Sequence, residues 1–189
     1  MAIHPDAFIH EMAYVEDGAT IGKDSRIWPF AHIRDGAVIG EDSNISKDCY
    51  VDDGGSVGDR CKIGNNVNVH AGITVGDEVF IGPGTVFTND MFPRAVSPEW
   101  VMLETVVHRG VSIGANVAMG PGVTVGEYAT IGIGSTVIRD VEAHELVVGN
   151  PARRLGWMCK CGRVASRDET RPADLRCEVC IEQGVAADG

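Results

Sequence analysis

The sequence is short of positive charge. Its 16 Lys and Arg stand against 27 Asp and Glu, leaving a formal net charge of −11. Binding to phosphate backbones is driven chiefly by clustered Lys and Arg, so this balance argues against a nucleic-acid partner. Any anionic ligand must be held by a few local cations. Apolar runs long enough to span a bilayer are missing, and Met1 to Phe8 has neither a basic start nor an apolar stretch of the export type. These absences predict a soluble, cytoplasmic protein without membrane contact. In a reducing compartment the six cysteines are not expected to pair as disulfides, so each needs another reason: packing, metal binding or a reactive thiol. The length of 189 residues allows one substantial core and a small appendage.

What is abundant is a period. Every sixth residue from Ile3 is apolar: Ile3, Ile9, Val15, Ile21, Ile27, Ile33, Ile39, Ile45, Val51, Val57, Ile63, Val69, Val75, Ile81 and Phe87. At random, one chosen phase would manage this roughly a few times in a million, so the period is structural. Two residues before most of these sits a small or β-branched residue, as at Ala19, Ser25, Ala31, Cys49, Cys61 and Thr85, on the same strand face. Turn formers follow, as in Gly22-Lys23-Asp24, Gly64-Asn65-Asn66 and Gly82-Pro83-Gly84. Each hexamer is therefore a short strand and a corner. Strands this short must pair with neighbouring coils. Three hexamers make a triangular coil, and residues 18 apart lie over one another at about 4.8 Å. The expected fold is all-β: a left-handed parallel β-helix spanning 1–156.

The phase breaks after Phe87 and resumes, shifted by two, at Val107, Ile113, Met119, Val125, Ile131 and Val137. Residues 88–106 between them are irregular and should project as a functional loop. The repeat fades through Gly149-Asn150-Pro151, and residues 157–189 form a Cys-rich tail.

The register sorts the candidate chemistry. Cys49 and Cys61 fall at the small inward position, where a thiol acts as a compact hydrophobe. His32 lies on an outward strand face, at a subunit contact or merely solvated. His70 opens a corner, Asp52 lies 18 residues before it, and Thr88 opens the same corner 18 residues later. Asp52, His70 and Thr88-Asn89-Asp90 should thus form a column. An Asp that fixes the tautomer of a His, which then removes a proton, is one reading, and three solvated corner residues are the other. In the tail, Cys159, Cys161, Cys177 and Cys180 have the spacing C-x-C-x15-C-x2-C, which points to a zinc-ribbon-like site for structural zinc. The first knuckle has one intervening residue where two are commoner.

With its hexapeptides, the loop start Phe87-Thr88-Asn89 and the ending Val147-Val148-Gly149-Asn150-Pro151-Ala152-Arg153, the chain resembles the hexapeptide-repeat acetyltransferases over residues 3–157. The stretches Arg26-Ile27-Trp28-Pro29-Phe30-Ala31-His32-Ile33 and Gly156-Trp157-Met158 look like those of enzymes that N-acetylate nucleotide-linked amino sugars, such as a UDP-2-acetamido-3-amino-2,3-dideoxyglucuronate or a dTDP-3-amino-6-deoxyhexose, for surface polysaccharides. The resemblance implies a homotrimer with acetyl-CoA lying between adjacent β-helices. It places Ala115, Ile133, Arg139 and Arg153 against the cofactor, the two arginines at its phosphates, and Asn89, Asp90, Pro93 and Arg94 against the sugar. Many relatives carry a basic histidine directly before a proline in this loop, where Phe92 precedes Pro93 here. In the amino-sugar branch, which also lacks it, an Asn matching Asn89 anchors the substrate amine. Asn89, His70 and Asp52 are then the catalytic candidates. Three other readings stand beside this one. A γ-type carbonic anhydrase would need a His-x4-His pair, absent among His4, His10, His32, His70, His108 and His144. An O-acetyltransferase would normally keep the loop histidine, and a non-enzymatic scaffold would not need the long loop.

Overall fold

The computed structural model describes residues 2–96 and 99–186; Met1, Ser97 and Pro98 of the loop, and residues 187–189 of the tail lie outside the described residues. The chain winds into a left-handed parallel β-helix of about eight turns. Its strands, mostly of two residues, stack into three sheets of seven, ten and seven strands. Every pairing before the loop joins residues 18 apart, such as Ile3 with Ile21, Ile27 with Ile45 and Ile33 with Val51. Across the loop the separation becomes 32, as in Val75 with Val107 and Ile81 with Ile113. The excursion is therefore a clean insertion that returns the chain to its column.

The corners explain the turn chemistry. From Asp24 onward one residue per hexamer takes a left-handed φ: Asp24, Phe30, Gly36, Asp42, Asp48, Gly54, Arg60, Asn66, Gly72, Glu78 and Gly84. The series resumes at Gly110, Asn116, Gly122, Tyr128 and Gly134. Gly, Asn and Asp reach this region most readily, which accounts for most of the set. A second glycine class serves close approach. A Cβ on Gly22 would lie 2.5 Å from the backbone of Gly40, and one on Gly82 would lie 2.5 Å from the amide nitrogen of Ala115.

Inside, the apolar columns fill the triangular section, with Ile21, Ile39, Ile63, Ile81, Phe87 and Ile113 at most 1% exposed. The small inward residues also satisfy corner carbonyls: Ser25 Oγ donates to Gly40, Ser43 Oγ to Gly58, Cys49 Sγ to Gly64 and Cys61 Sγ to Gly76, at 2.7–3.0 Å. Burial pushes the Cys49 thiol up to about 11, so it stays a neutral packing group.

The far end is closed by a return strand. Glu145–Val148 pairs with the coil strand Thr130–Ile131 in parallel and with Arg153–Met158 in antiparallel fashion. Arg153–Met158 pairs in turn with Val164–Ser166. A division at residue 156 therefore falls inside a strand, and the tail continues one sheet of the helix. Glu145 is fully buried there. Burial alone would raise its carboxyl, but Arg139, the Glu142 amide and Arg154 outweigh that and hold it below the usual range.

Two substitutions test this packing by denaturant unfolding. Gly82→Ala should lose about 3 kcal/mol, because the added methyl meets backbone that cannot move aside. Thr105→Val should gain about 1 kcal/mol, because the Thr105 hydroxyl is buried with no hydrogen-bond partner among the described residues and valine keeps its shape.

Candidate active site

The irregular loop leaves after Val86–Phe87 and returns at Thr105–Val107. Its arms run antiparallel: Asp90 bridges Met102, and the Leu103 amide donates to the Asn89 carbonyl at 2.9 Å. Its base sits on two left-handed corner glycines. A Cβ on Gly72 would press on the Met102 sulfur at 3.1 Å, and one on Gly122 on Leu103 at 3.1 Å. The corners must be bare for the loop to seat here.

Between the loop and the coil is a depression of about 520 Å³ lined by His70, Phe87, Thr88, Asn89, Asp90, Met91, Pro93 and Pro121. It gathers four of the residues singled out by sequence: His70, Asn89, Asp90 and Pro93. Arg94 is not in the lining and donates to the Pro93 carbonyl. A larger groove of about 580 Å³ crosses the outer face bearing Arg26, Asn44, Lys62 and Phe80, away from the loop. Its lining mixes both signs of charge and holds neither a histidine nor the loop.

Asn89 is fixed by its side-chain nitrogen, which donates to the Ala71 carbonyl at 3.1 Å. A carbonyl accepts only from the NH2 group, so the orientation of the amide is determined and its oxygen is left to accept from a ligand. Thr88 Oγ1 donates to the Met119 carbonyl at 2.9 Å, fixing the loop exit. Asp90 accepts from the Phe92 amide at 2.9 Å and turns the chain at the pocket rim.

The column beneath His70 is present, but its bonding differs from the expected Asp–His pair. The Asp52 carboxylate accepts from Arg34 at 2.8 Å, from the Tyr50 hydroxyl at 3.0 Å and from the Asp53 amide at 2.9 Å. Partial burial would raise its pKa, yet these donors outweigh the desolvation and hold it below the ordinary carboxylate value. His70 instead meets the ring of Tyr50, with centroids 6.2 Å apart and planes tilted by 55°. Arg34 belongs to the same corner column as Asp52, and Glu16 continues it: His32 Nε2 lies 2.7 Å from Glu16, and Arg34 Nε lies 3.8 Å from it. Arg34, Tyr50 and Glu16 were not singled out by sequence, although Arg34 and Glu16 lie 18 and 36 residues before Asp52.

The expected cofactor residues divide. Ala115 and Ile133 stack on one corner, with a Gly114 Cβ position 2.6 Å from the Ile133 amide, and Ile133 is 74% exposed. The Gly149–Ala152 turn, with a cis Asn150–Pro151 bond, is tied to the same corner through Thr136. Arg153 follows it, exposed, with a hydrogen bond from its guanidinium to the Ala152 carbonyl and no carboxylate partner among the described residues. Arg139 grips the buried Glu145 with both terminal nitrogens, at 2.8 and 3.3 Å, while its side chain stays 41% exposed.

In the tail, the sulfurs of Cys159, Cys161, Cys177 and Cys180 all lie within 4.8 Å of one another. Cys159 and Cys180 are 3.7 Å apart, and Cys161 and Cys177 are 3.5 Å apart. Those spacings are too long for a disulfide, whose sulfurs sit about 2.05 Å apart. They match the roughly 3.8 Å edges of a tetrahedron of thiolates around zinc. The single-residue first knuckle is a tight hairpin turn: the Cys159 amide donates to the Arg163 carbonyl, the Gly162 amide to the Cys159 carbonyl, and Gly162 takes a φ of +86°. Among the described residues no helix is long and apolar enough to cross a membrane.

Comparison with known proteins agrees with this architecture. Residues 1–93 match the GMPPB C-terminal domain family. A 57-residue segment is 44% identical to the dTDP-3-amino-3,6-dideoxy-alpha-D-galactopyranose 3-N-acetyltransferase of Aneurinibacillus thermoaerophilus, and that segment spans 30% of either chain. An N-acyltransferase of Bacillus cereus, solved with dTDP and 3-hydroxybutyryl-CoA, shares the fold at 18% identity and a TM-score of 0.53, over 81% of this chain and 80% of that one. A hexapeptide-repeat acetyltransferase of Vibrio cholerae O1 biovar eltor, solved with acetyl coenzyme A, is 30% identical with a TM-score of 0.52, over 74% of this chain and 70% of its own. Kinship over most of both chains, added to the hexapeptide register on either side of the loop, shows that this chain belongs to the hexapeptide-repeat acetyltransferases.

Proposed function

We propose that the protein is an acetyl-CoA-dependent N-acetyltransferase acting on the amino group of a nucleotide-linked amino sugar, in the supply of precursors for surface polysaccharide. The observation that carries this reading is Asn89. It lines the loop pocket together with His70, its side-chain nitrogen held by the Ala71 carbonyl, in a chain whose loop lacks a histidine before proline. The curated relative acts on a dTDP-linked 3-amino sugar, and the Vibrio cholerae structure holds acetyl coenzyme A, which supports both substrates. The active form is proposed to be a homotrimer, with the pocket of one coil completed by its neighbour. Exposed Phe92, Val96 and Trp100 on the loop fit such a contact.

The chemistry follows from what the pocket offers. An unprotonated amine is already nucleophilic and a thioester is activated, so orientation is the main task. Asn89 Oδ1 accepts one N–H of the amine and aims its lone pair at the thioester carbonyl. The C–N bond forms, the C–S bond breaks, and the nitrogen gives up one proton while the departing thiolate gains one. His70 is placed to receive the amine proton. Asp52, one coil away, is committed to Arg34 and Tyr50, whose ring packs against His70, and so acts only as a positioning residue. Asp90 and Pro93 shape the sugar side of the pocket, with Arg94 at its rim. Ala115 and Ile133 line the path of the coenzyme, and Arg153, which has no carboxylate partner among the described residues, binds its phosphates. The four tail cysteines hold one structural zinc; four thiolates leave no open coordination position, so the metal takes no part in the transfer.

Turnover of UDP- and dTDP-linked amino sugars with acetyl-CoA, followed by free-thiol release, tests the reaction. Asn89→Ala and His70→Ala should each lower kcat/KM by roughly 10²-fold, within the range for a lost proton-transfer or orienting group. Near-normal rates in both variants would remove these roles. Metal analysis of the purified protein should find about one zinc per chain. Finding none, with the tail thiols freely titratable, would sink the metal assignment.

A further inference from the structure

The cysteine cluster and the coenzyme end of the coil share one strand. Arg153–Met158 begins with Arg153, exposed beside the Gly149–Ala152 turn, and runs directly into Cys159. The Cys159–Cys161 knuckle is the hairpin joining this strand to Val164–Ser166, and the other two sulfurs come from the first turn of the short helix Glu178–Glu182 and the residue before it.

Between those sulfurs the tail backbone lies across the strand. Trp157, 1% exposed, donates its indole N–H to the Asp168 carbonyl at 3.1 Å. Gly156 lies so close that a Cβ there would be 2.3 Å from the Ser166 carbonyl oxygen. Arg154, on the side of the strand opposite Arg153, spans Glu142 and Glu145 and stacks 4.6 Å over Trp157.

The tail has almost no core of its own. Its buried cluster is Cys159, Cys177 and Cys180, with Ala165 and Val179 packed against it. That is too little apolar surface to order some thirty residues, whereas tetrathiolate zinc binding contributes on the order of 10 kcal/mol. The tail that lies over this strand is therefore ordered by the metal more than by hydrophobic packing of its own.

We infer that the metal at Cys159, Cys161, Cys177 and Cys180 fixes the strand that presents Arg153, so that coenzyme affinity depends on a metal that never touches the coenzyme. This rests on the transferase and zinc readings above. Arg153 is the positioned group, and the hairpin with its ion is the positioning device. Removal of the ion should release the return strand locally while the coils between Ile21 and Val69, held by their own ladders, stay closed.

The test uses the full chain, zinc-loaded, then stripped with dipicolinate under reducing conditions, then reloaded. Hydrogen exchange and coenzyme A affinity are read in each state. Stripping should speed exchange of amides in 145–158 at least tenfold, leave those in 21–69 unchanged and weaken coenzyme A binding roughly tenfold, the scale of a lost charge-assisted contact. Reloading should restore all three. In Arg153→Ala the affinity should already be weak and should no longer respond to the metal, while protection of 145–158 stays high in the loaded state. Unchanged exchange in 145–158 on stripping, or a full metal response of affinity in Arg153→Ala, would overturn the coupling. So would global unfolding of the coil, because the inference requires a local release. A zinc-loaded chain that binds no coenzyme A overturns the transferase reading instead, and its exchange data still judge the clamp.

Discussion

Everything in this molecule depends on the return of the chain to the same column after every 18 residues, with backbone hydrogen bonds joining each coil to the next. From Asp24 onward that return uses a left-handed residue at one place in each hexamer, and bare glycine where corner backbones nearly touch. Individual strands of two residues would be worthless in isolation, since each gains its partners only from the coils on either side. The lattice that results is rigid and additive. A segment inserted at a corner disturbs nothing if it re-enters in register, as the shift from 18-residue to 32-residue pairing shows. The loop pocket is formed jointly by that insertion and by coil residues such as His70 and Pro121, which the lattice positions.

This division also explains what sequence could reveal. Inward residues, coil length, the loop and the vertical order of Asp52, His70 and Thr88 follow from counting, because a period of six is exact wherever the lattice is intact. The depression bringing His70, Asn89, Asp90 and Pro93 together was legible for the same reason. Side-chain pairing was not. Tyr50 reaches Asp52 from two residues away on the adjoining strand, and Arg34 reaches it from the preceding coil, so the carboxylate is taken before the imidazole is considered. Column arithmetic extended one step further back would have named Arg34. The tie of Arg139 to Glu145 was missed because Glu145 arrives after the repeat has faded, where counting has no purchase. A glutamate heading the apolar run Leu146-Val147-Val148, with Arg139, Arg153 and Arg154 nearby, was the signal available.

In an acidic chain proposed to bind an anionic cofactor, the pairing of its cations matters. Arg34, Arg60, Arg109, Arg139, Arg154 and Arg176 each face a carboxylate within 3.2 Å. Most of those ties stitch coils or strands together, with Glu78 shared by Arg60 and Arg109 and Glu145 by Arg139 and Arg154. Arg153 differs by one strand position from Arg154 and points to the opposite face, so strand alternation alone decides which of two adjacent arginines is structural and which is available.

The two ends of the solenoid are not equivalent, and the difference bears on how the site is kept. In the first coil Ile3, Ile9 and Val15 are only partly buried, whereas their counterparts from Ile21 onward are closed. At the far end the final coil is covered by Glu145–Val148 and then by an antiparallel strand, an arrangement that the parallel lattice cannot generate and that a repeating sequence cannot encode. A solenoid loses structure from its ends, because an end coil has one neighbour where an inner coil has two. Groups needed for function near an end must therefore be secured by something outside the repeat. Here the reversal of the chain, the buried Glu145 with its two arginines, and the indole of Trp157 under the tail supply that security at the end where Arg153 stands.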